Sequence, residues 1–163
     1  MGGKSSKSAQ NASSDGAVNE VKERKVIPPV AEKGENEFLR FSALSNAGFE
    51  MDGLQKTNQD TFISIANLGE PNVSVFGVYD GHGACGHLVS GYVRKELPRM
   101  LDREMLKTEA VQKEPDVKRV GRHVMATYER VNAALEADKS IDSSLSGTTA
   151  VTAIVIGGVG GRW

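Results

Sequence analysis

An acidic residue, two glycines and a histidine follow an apolar segment near the middle of the chain. Residues 78–83 read VYDGHG, so Asp80 and His82 come directly after strand-forming residues. A carboxylate beside a glycine, whose main-chain carbonyl can be approached closely, can hold a hard divalent cation through oxygen ligands. Asp80 and the Gly81 carbonyl are therefore candidate cation ligands. Asp-Gly is also a common hairpin turn, and the short sequence alone leaves that interpretation open.

A second acidic residue stands at the start of another segment with strand character. Residues 56–60 read KTNQD, and Asp60 opens an alternating segment. Two neighbouring strands could then present Asp60 and Asp80 at one end of a sheet. Converging carboxylates are costly without a cation, which favours a cation site. A solvated turn at residues 58–60 is the alternative.

The elements that must position these residues are strands and two helices. Strand composition is found in residues 38–45, Asp60–Ile65, 73–79 and 149–156. Apolar residues recur every three or four positions over 117–135, which predicts a helix with Asp116 as N-cap that ends near Asp138.

A shorter helix is predicted over residues 87–97, which Pro98 would stop or kink. Because strands and helices do not alternate strictly, the pattern predicts an α+β fold built in layers. A doubly wound parallel sheet is the alternative.

The composition is that of an intracellular globular protein. Of 163 residues, 39% are hydrophobic and 25% are charged, which is typical of a folded domain. Twenty basic and 21 acidic side chains leave a net charge of −1, which argues against nucleic acid as a partner. The single cysteine, Cys85, is expected to be a small buried thiol, and a zinc or iron–sulfur cluster is excluded. No apolar run is long enough to span a bilayer, so a cytoplasmic location is expected.

The first part of the chain is polar and lacks periodicity. Residues 1–37 are expected to form a disordered arm and 38–163 the folded domain. The cluster at 26–30, VIPPV, contains two prolines and is not expected to start a sheet. The opening sequence MGGKSS fits the N-myristoylation pattern with Gly2 as acceptor, which would allow reversible attachment to the cytosolic face of membranes. A plain polar tail is the alternative.

Three motifs occur in the order and approximate spacing found in the type 2C, metal-dependent serine/threonine protein phosphatases. They are NQD at 58–60, FGVYDGHG at 76–83 and SGTTA at 146–150. Residues 38–156 resemble the N-terminal portion of this family, and most of all its plant-like and protist branch. The resemblance implies a four-layer α-β-β-α sandwich, incomplete in this chain.

The resemblance also implies a reaction and roles for individual residues. Two Mg²⁺ or Mn²⁺ ions would activate a water that attacks phosphoserine or phosphothreonine in proteins. Asp80 would bridge the ions, Gly81 would supply a carbonyl ligand and Asp60 would orient a water. His82 would protonate the leaving oxygen as general acid, and an ordinary turn histidine is the alternative.

Two positions depart from the family pattern. Gln59 stands where many members have Glu before the first acid, so any ligand there would be neutral. Gln55 stands where the family usually places Arg or Lys to grip phosphate. The neighbouring Lys56 could take that phosphate-binding role.

The family's remaining metal-binding aspartates follow the SGTTA strand, and no residue of this chain can replace them. Asp138 and Asp142 precede that strand, in what is expected to be a solvated helix end and loop. The chain is therefore expected to be a truncated form of a phosphatase that acts on phosphoserine and phosphothreonine proteins, and the activity of the shortened chain by itself is left open. The alternative is a catalytically inactive, phosphatase-like binding or regulatory module.

Overall fold

A computed structural model describes residues 27–70, 72–105 and 116–157. In these ranges the chain forms six strands and two helices. In chain order they are β1 Val30–Glu35, β2 Arg40–Ser45, β3 Asp60–Ile65, β4 Val73–His82, α1 Gly86–Met105, α2 Val117–Ala137, β5 Gly147–Thr148 and β6 Val151–Ile156. No helix in the described ranges is both long and apolar enough to cross a membrane.

Strand β4 is the centre of a four-stranded antiparallel sheet. Strand β3 pairs along one edge of β4, while β5 and β6 pair with successive parts of the other edge. Strands β1 and β2 form a separate antiparallel hairpin. Its Phe41 ring contacts the Phe76 ring of β4 edge to face, with centroids 5.1 Å apart. Every strand pairing in the described ranges is antiparallel, so the doubly wound parallel alternative is wrong.

The hydrophobic core lies between β4 and the two helices. Buried side chains alternate along β4 and recur every four residues along α1, as the strand and helix periods require. They are Val73, Val75 and Tyr79 on β4, Val89, Val93, Leu97 and Leu101 on α1, and Val131 and Leu135 on α2. Burial raises the pKa of Tyr79 to about 12, so its phenol stays protonated at neutral pH. The helix pair, the large sheet and the hairpin form the layers of a partial α-β-β-α sandwich, which confirms the α+β prediction.

Helix α2 confirms the sequence prediction, whereas α1 is longer than expected. The Asp116 carboxylate accepts hydrogen bonds from the main-chain N–H groups of Lys118 (3.0 Å) and Arg119 (3.2 Å), and so caps α2. Helix α1 runs through Pro98 to Met105 and does not stop at the proline. Leu97 and Leu101, on either side of Pro98, are fully buried. Their packing offsets the hydrogen bond that proline cannot donate.

The first strand lies in a segment that was expected to be disordered. Residues 30–35, which were expected to belong to a disordered arm, form β1 and pair with β2 from Val30 opposite Ser45 to Glu35 opposite Arg40. Val30, the last residue of the cluster at 26–30 that was not expected to start a sheet, is the first residue of this strand. The connecting turn is closed by the Asn36 side chain, whose oxygen accepts from the N–H groups of residues 38 (2.9 Å) and 39 (3.0 Å). The folded part thus already includes Val30, while residues 1–26 lie outside the described ranges.

Gly77 at the middle of β4 has no room for a side chain. A Cβ there would overlap the buried Tyr79 hydroxyl and lie 3.1 Å from Ile63. We expect Gly77→Ala to lower the free energy of unfolding by about 1–3 kcal/mol, because these core neighbours cannot move aside. Gly121→Ala, on α2 with nothing within 4 Å, should raise it by up to about 1 kcal/mol. Urea unfolding measures both changes, and equal stability of Gly77→Ala and wild type would contradict the first expectation.

Candidate metal centre

Two carboxylates face each other at one end of the large sheet. The register of β3 and β4 places Asp60 directly opposite Asp80, and opposite residues of an antiparallel pair project from the same face. His82 projects from that face too, since Asp80 and His82 are exposed while the residues between and before them are buried. The structure therefore places Asp60 beside Asp80, as the two-strand hypothesis predicted, and places His82 on the same face of β4 as Asp80.

The carboxylate pair is electrostatically unfavourable as it stands. The pKa of the Asp60 carboxyl lies above its ordinary value. The causes, largest first, are partial burial, the negative charge of Asp80 and a hydrogen bond with Asp80. A proton shared between two carboxylates relieves their repulsion, and a divalent cation can relieve it in the same way. The pair has the electrostatic character of a cation site.

The donor set fits part of a site for a hard cation. Carboxylate oxygens are the ligands that Mg²⁺ and Mn²⁺ prefer. Within residues 27–70, 72–105 and 116–157, no group of three or more His, Cys, Asp or Glu residues could hold a metal ion. Asp60 and Asp80 are candidate acidic ligands, and that role stays a prediction. Gly81 is buried next to Gln59 and Gly86, and its role as a carbonyl ligand also stays a prediction.

Asp60 is held by side chains that the sequence reasoning did not identify. Its N–H donates to the Asn58 side-chain oxygen (3.1 Å), and the Asn58 amide donates to the Ser45 hydroxyl (2.7 Å). Ser45 in turn donates to the Asp60 carbonyl (3.3 Å). These bonds tie the start of β3 to the end of β2, so that the hairpin helps to place the first carboxylate.

Asp80 is held by the SGTTA segment. The Thr149 N–H donates to the Asp80 carbonyl (2.8 Å), and the Asp80 N–H donates to the Thr149 hydroxyl (3.1 Å). Just beyond this pair, Gly81 lies opposite Thr148 and His82 opposite Gly147. In the sequence this motif indicated only the resemblance to the family. In the structure it holds the end of β4 in place. Residue spacing alone does not predict a contact between residues so far apart in the chain.

The turn after His82 is packed against the same segment. Gly83 has φ +82°, and a Cβ there would lie 2.8 Å from the Ser146 Cα. The Cys85 N–H donates to the Ser146 hydroxyl (2.9 Å), next to the start of α1. The Cys85 side chain is half-buried, not fully buried as expected. The His82 ring lies over Gly147, with Nε2 2.7 Å from the position that a Cβ would take.

The remaining candidate residues lie in other surroundings. The Lys56 ammonium pairs with the Glu50 carboxylate (3.6 Å), so its phosphate role stays a prediction. Gln55 exchanges hydrogen bonds with the main chain of Ile27. As expected, Asp138 caps the end of α2 and Asp142 lies exposed in the following loop. The lipidation candidate, Gly2, lies outside the described residues.

Comparison with known proteins identifies the family of this chain. The sequence model of the family Protein phosphatase 2C matches residues 45–158. Probable protein phosphatase 2C 35 of Arabidopsis thaliana is 35% identical over 83% of this chain and 36% of its own length. Probable protein phosphatase 2C 34 of the same plant is 30% identical over 95% of this chain and 45% of its own length. The chain belongs to the protein phosphatase 2C family, and it spans less than half the length of these two relatives.

The raised pKa of Asp60 predicts how stability depends on pH. The folded protein binds this proton more tightly than the unfolded chain does. The stabilisation from the Asp60 carboxyl is therefore full below its unfolded pKa of about 4, and is lost as pH rises through the raised folded value. We expect the stability of wild type minus that of Asp60→Asn to fall as pH rises from about 4 to 7.

Asp142 provides a control of opposite sign. Hydrogen bonds from the Ser144 hydroxyl (2.6 Å) and N–H (3.2 Å) lower the pKa of Asp142. Its stabilisation is present above the unfolded pKa and is lost as pH falls through the folded value. The stability of wild type minus that of Asp142→Asn should therefore rise as pH increases toward about 4 and stay nearly constant from about pH 4 to 7, as measured by unfolding without divalent cations. A fall of this difference between about pH 4 and 7 that matches the fall for Asp60→Asn would contradict the assignment.

Proposed function

We propose that the protein is a metal-dependent phosphatase that removes phosphate from phosphoserine and phosphothreonine in proteins. The observation that carries this proposal is the cross-strand pair Asp60–Asp80 with His82 on the same exposed face. Membership of the protein phosphatase 2C family supports it. The relatives named above are themselves called probable protein phosphatases.

Within this proposal each residue of the pair has a role that its position allows. Asp60 and Asp80 would hold the divalent cations, Mg²⁺ or Mn²⁺. Such ions, when bound, lower the pKa of the attacking water and offset the charge of the phosphoryl group. His82 lies at the exposed end of β4 and would donate a proton to the serine or threonine oxygen that leaves. Its position over Gly147 restricts where the imidazole can be placed.

A binding module is the second candidate function. It is favoured because no group of three or more His, Cys, Asp or Glu residues in the described ranges could hold a metal ion, whereas a two-ion site needs several such ligands. Such a module would use the same face to recognise phosphoproteins or a regulatory partner without hydrolysing phosphate.

Cation binding by the 163-residue chain tests the site that both candidates share. We expect Mn²⁺ to bind wild type, as followed by water-proton relaxation, and Asp80→Asn to weaken it at least about tenfold, since a removed charge–ligand contact is worth about 1.4 kcal/mol or more. Asp142→Asn, which removes one exposed carboxylate away from the pair, should bind Mn²⁺ like wild type. Equal Mn²⁺ affinity for wild type and Asp80→Asn would contradict the site.

Phosphate release then separates the two candidate functions. The substrate is a phosphothreonine peptide, assayed with Mn²⁺ and with excess chelator. Release that is abolished by chelator and by Asp80→Asn supports the phosphatase. Mn²⁺ binding without any release supports the binding module.

We also propose that Gly2 is myristoylated and that the protein is cytoplasmic, held reversibly at cytosolic membrane faces. The pattern MGGKSS supports this, and Lys4 and Lys7 add a modest attraction to anionic lipid. One myristoyl chain gives only marginal membrane binding, so exchange between membrane and cytosol is expected.

In eukaryotic cells Gly2→Ala should move the protein to the supernatant fraction, and intact mass should show the acyl group on wild type alone. Identical fractionation of both proteins without an acyl mass would refute this.

A further inference from the structure

The side-chain amide of Gln59 lies against the turn that follows His82. Its Nε2 donates to the Gly83 carbonyl (3.1 Å), which also accepts the Gly86 N–H (3.3 Å). The Gln59 main chain is itself fixed, because its carbonyl accepts from the Ser90 hydroxyl (2.6 Å) and from the Gly81 N–H (3.2 Å). Gln59 thus connects the start of β3, the end of β4 and helix α1.

The other atom of this amide is sealed inside the protein. Gln59 Oε1 is buried and accepts no hydrogen bond from any group in the described part of the chain. It contacts Gly86 where a side chain would be, and only a glycine leaves space for it. Because this oxygen is buried, a cation could reach it only if the surrounding residues moved. The orphaned oxygen therefore fits a side chain that is kept for its N–H donor and not for its oxygen.

We propose that Gln59 is a positioning residue: its amide holds the turn at residues 83–86, and so the placement of His82, and it does not act as a cation ligand. This rests on the proposed function insofar as His82 is the proton donor. The turn is then held from two sides, by Gln59 and by the Ser146 hydroxyl on the Cys85 N–H (2.9 Å). In this chain the contact depends on the amide, since a carboxylate in the same place would face the Gly83 carbonyl with no hydrogen to donate.

Gln59→Glu distinguishes a positioning amide from a cation ligand, because the two roles predict opposite results. The added carboxylate should raise Mn²⁺ affinity if residue 59 faces the cation. If the amide holds the turn, the substitution should instead speed hydrogen exchange at the Cys85 and Gly86 amides about tenfold or more and shift the His82 ring resonances. Both are measured by NMR on the 163-residue chain at one fixed pH.

Gln55→Glu is the matched control for charge. It adds the same charge four residues earlier, where the Gln55 side chain bonds only the Ile27 main chain among the described contacts. We expect Gln59→Glu to bind Mn²⁺ no more tightly than Gln55→Glu does. Tenfold tighter Mn²⁺ binding by Gln59→Glu, with exchange in the turn unchanged, would overturn the proposal.

Gln59→Met covers the case in which the buried carboxylate prevents folding. Methionine is close to glutamine in length, has no donor for Gly83 and adds no charge. It should reproduce the faster exchange at Gly86 and the His82 shift, and unchanged values for both would also overturn the proposal. Failure of wild type to bind Mn²⁺ at all would count against the proposed metal site only, because the exchange and His82 measurements need no cation.

Discussion

The direct opposition of Asp60 and Asp80 across β3 and β4 is the constraint on which the rest of the structure depends. Two like charges on adjacent strands repel, and a slip of one residue would send one of them to the opposite face. The register of β3 and β4 is therefore stabilised by several contacts outside the two acids. Thr149 clamps Asp80 from one edge of β4, while Asn58 fixes the turn before β3. The buried side of the same sheet packs on α1, so the core stabilises the arrangement that the carboxylates oppose.

Close main-chain packing at this end of the sheet explains why glycine is frequent there. A Cβ on any of four glycines would come within 3 Å of a neighbouring segment, and these are Gly81, Gly83, Gly86 and Gly147. Four segments converge around the carboxylates and His82: the start of β3, the end of β4, the start of α1 and the loop before β5. The site is thus placed by close contacts among these four segments.

Local patterns account for the elements that the sequence predicted well. The strand Asp60–Ile65 has the predicted bounds, but the adjacent Phe62 and Ile63 are both buried, so its burial does not alternate as expected. The helix Val117–Ala137 follows from the 3.6-residue period, and Asp116 caps it through bonds to residues two and three positions later. Strand β1 had no such signal, because its polar sequence is stabilised by pairing with β2 and its side chains are largely exposed. The passage of α1 through Pro98 depended on packing against the sheet, which the local rule for proline does not include.

By itself the sequence determined the family, the α+β class and the principal strands and helices. It also identified Asp60, Asp80 and His82 as candidate site residues. Only the tertiary structure decided that the two acids are opposite partners, that the SGTTA segment clamps one of them, and that Gln59 turns toward the 83–86 turn. The physical reason is distance along the chain. The contact between Asp80 and Thr149 joins residues 69 positions apart, and Gln59 and Gly83 are 24 apart. Periodicity and turn chemistry act over a few residues, whereas such contacts exist only once the strands have paired.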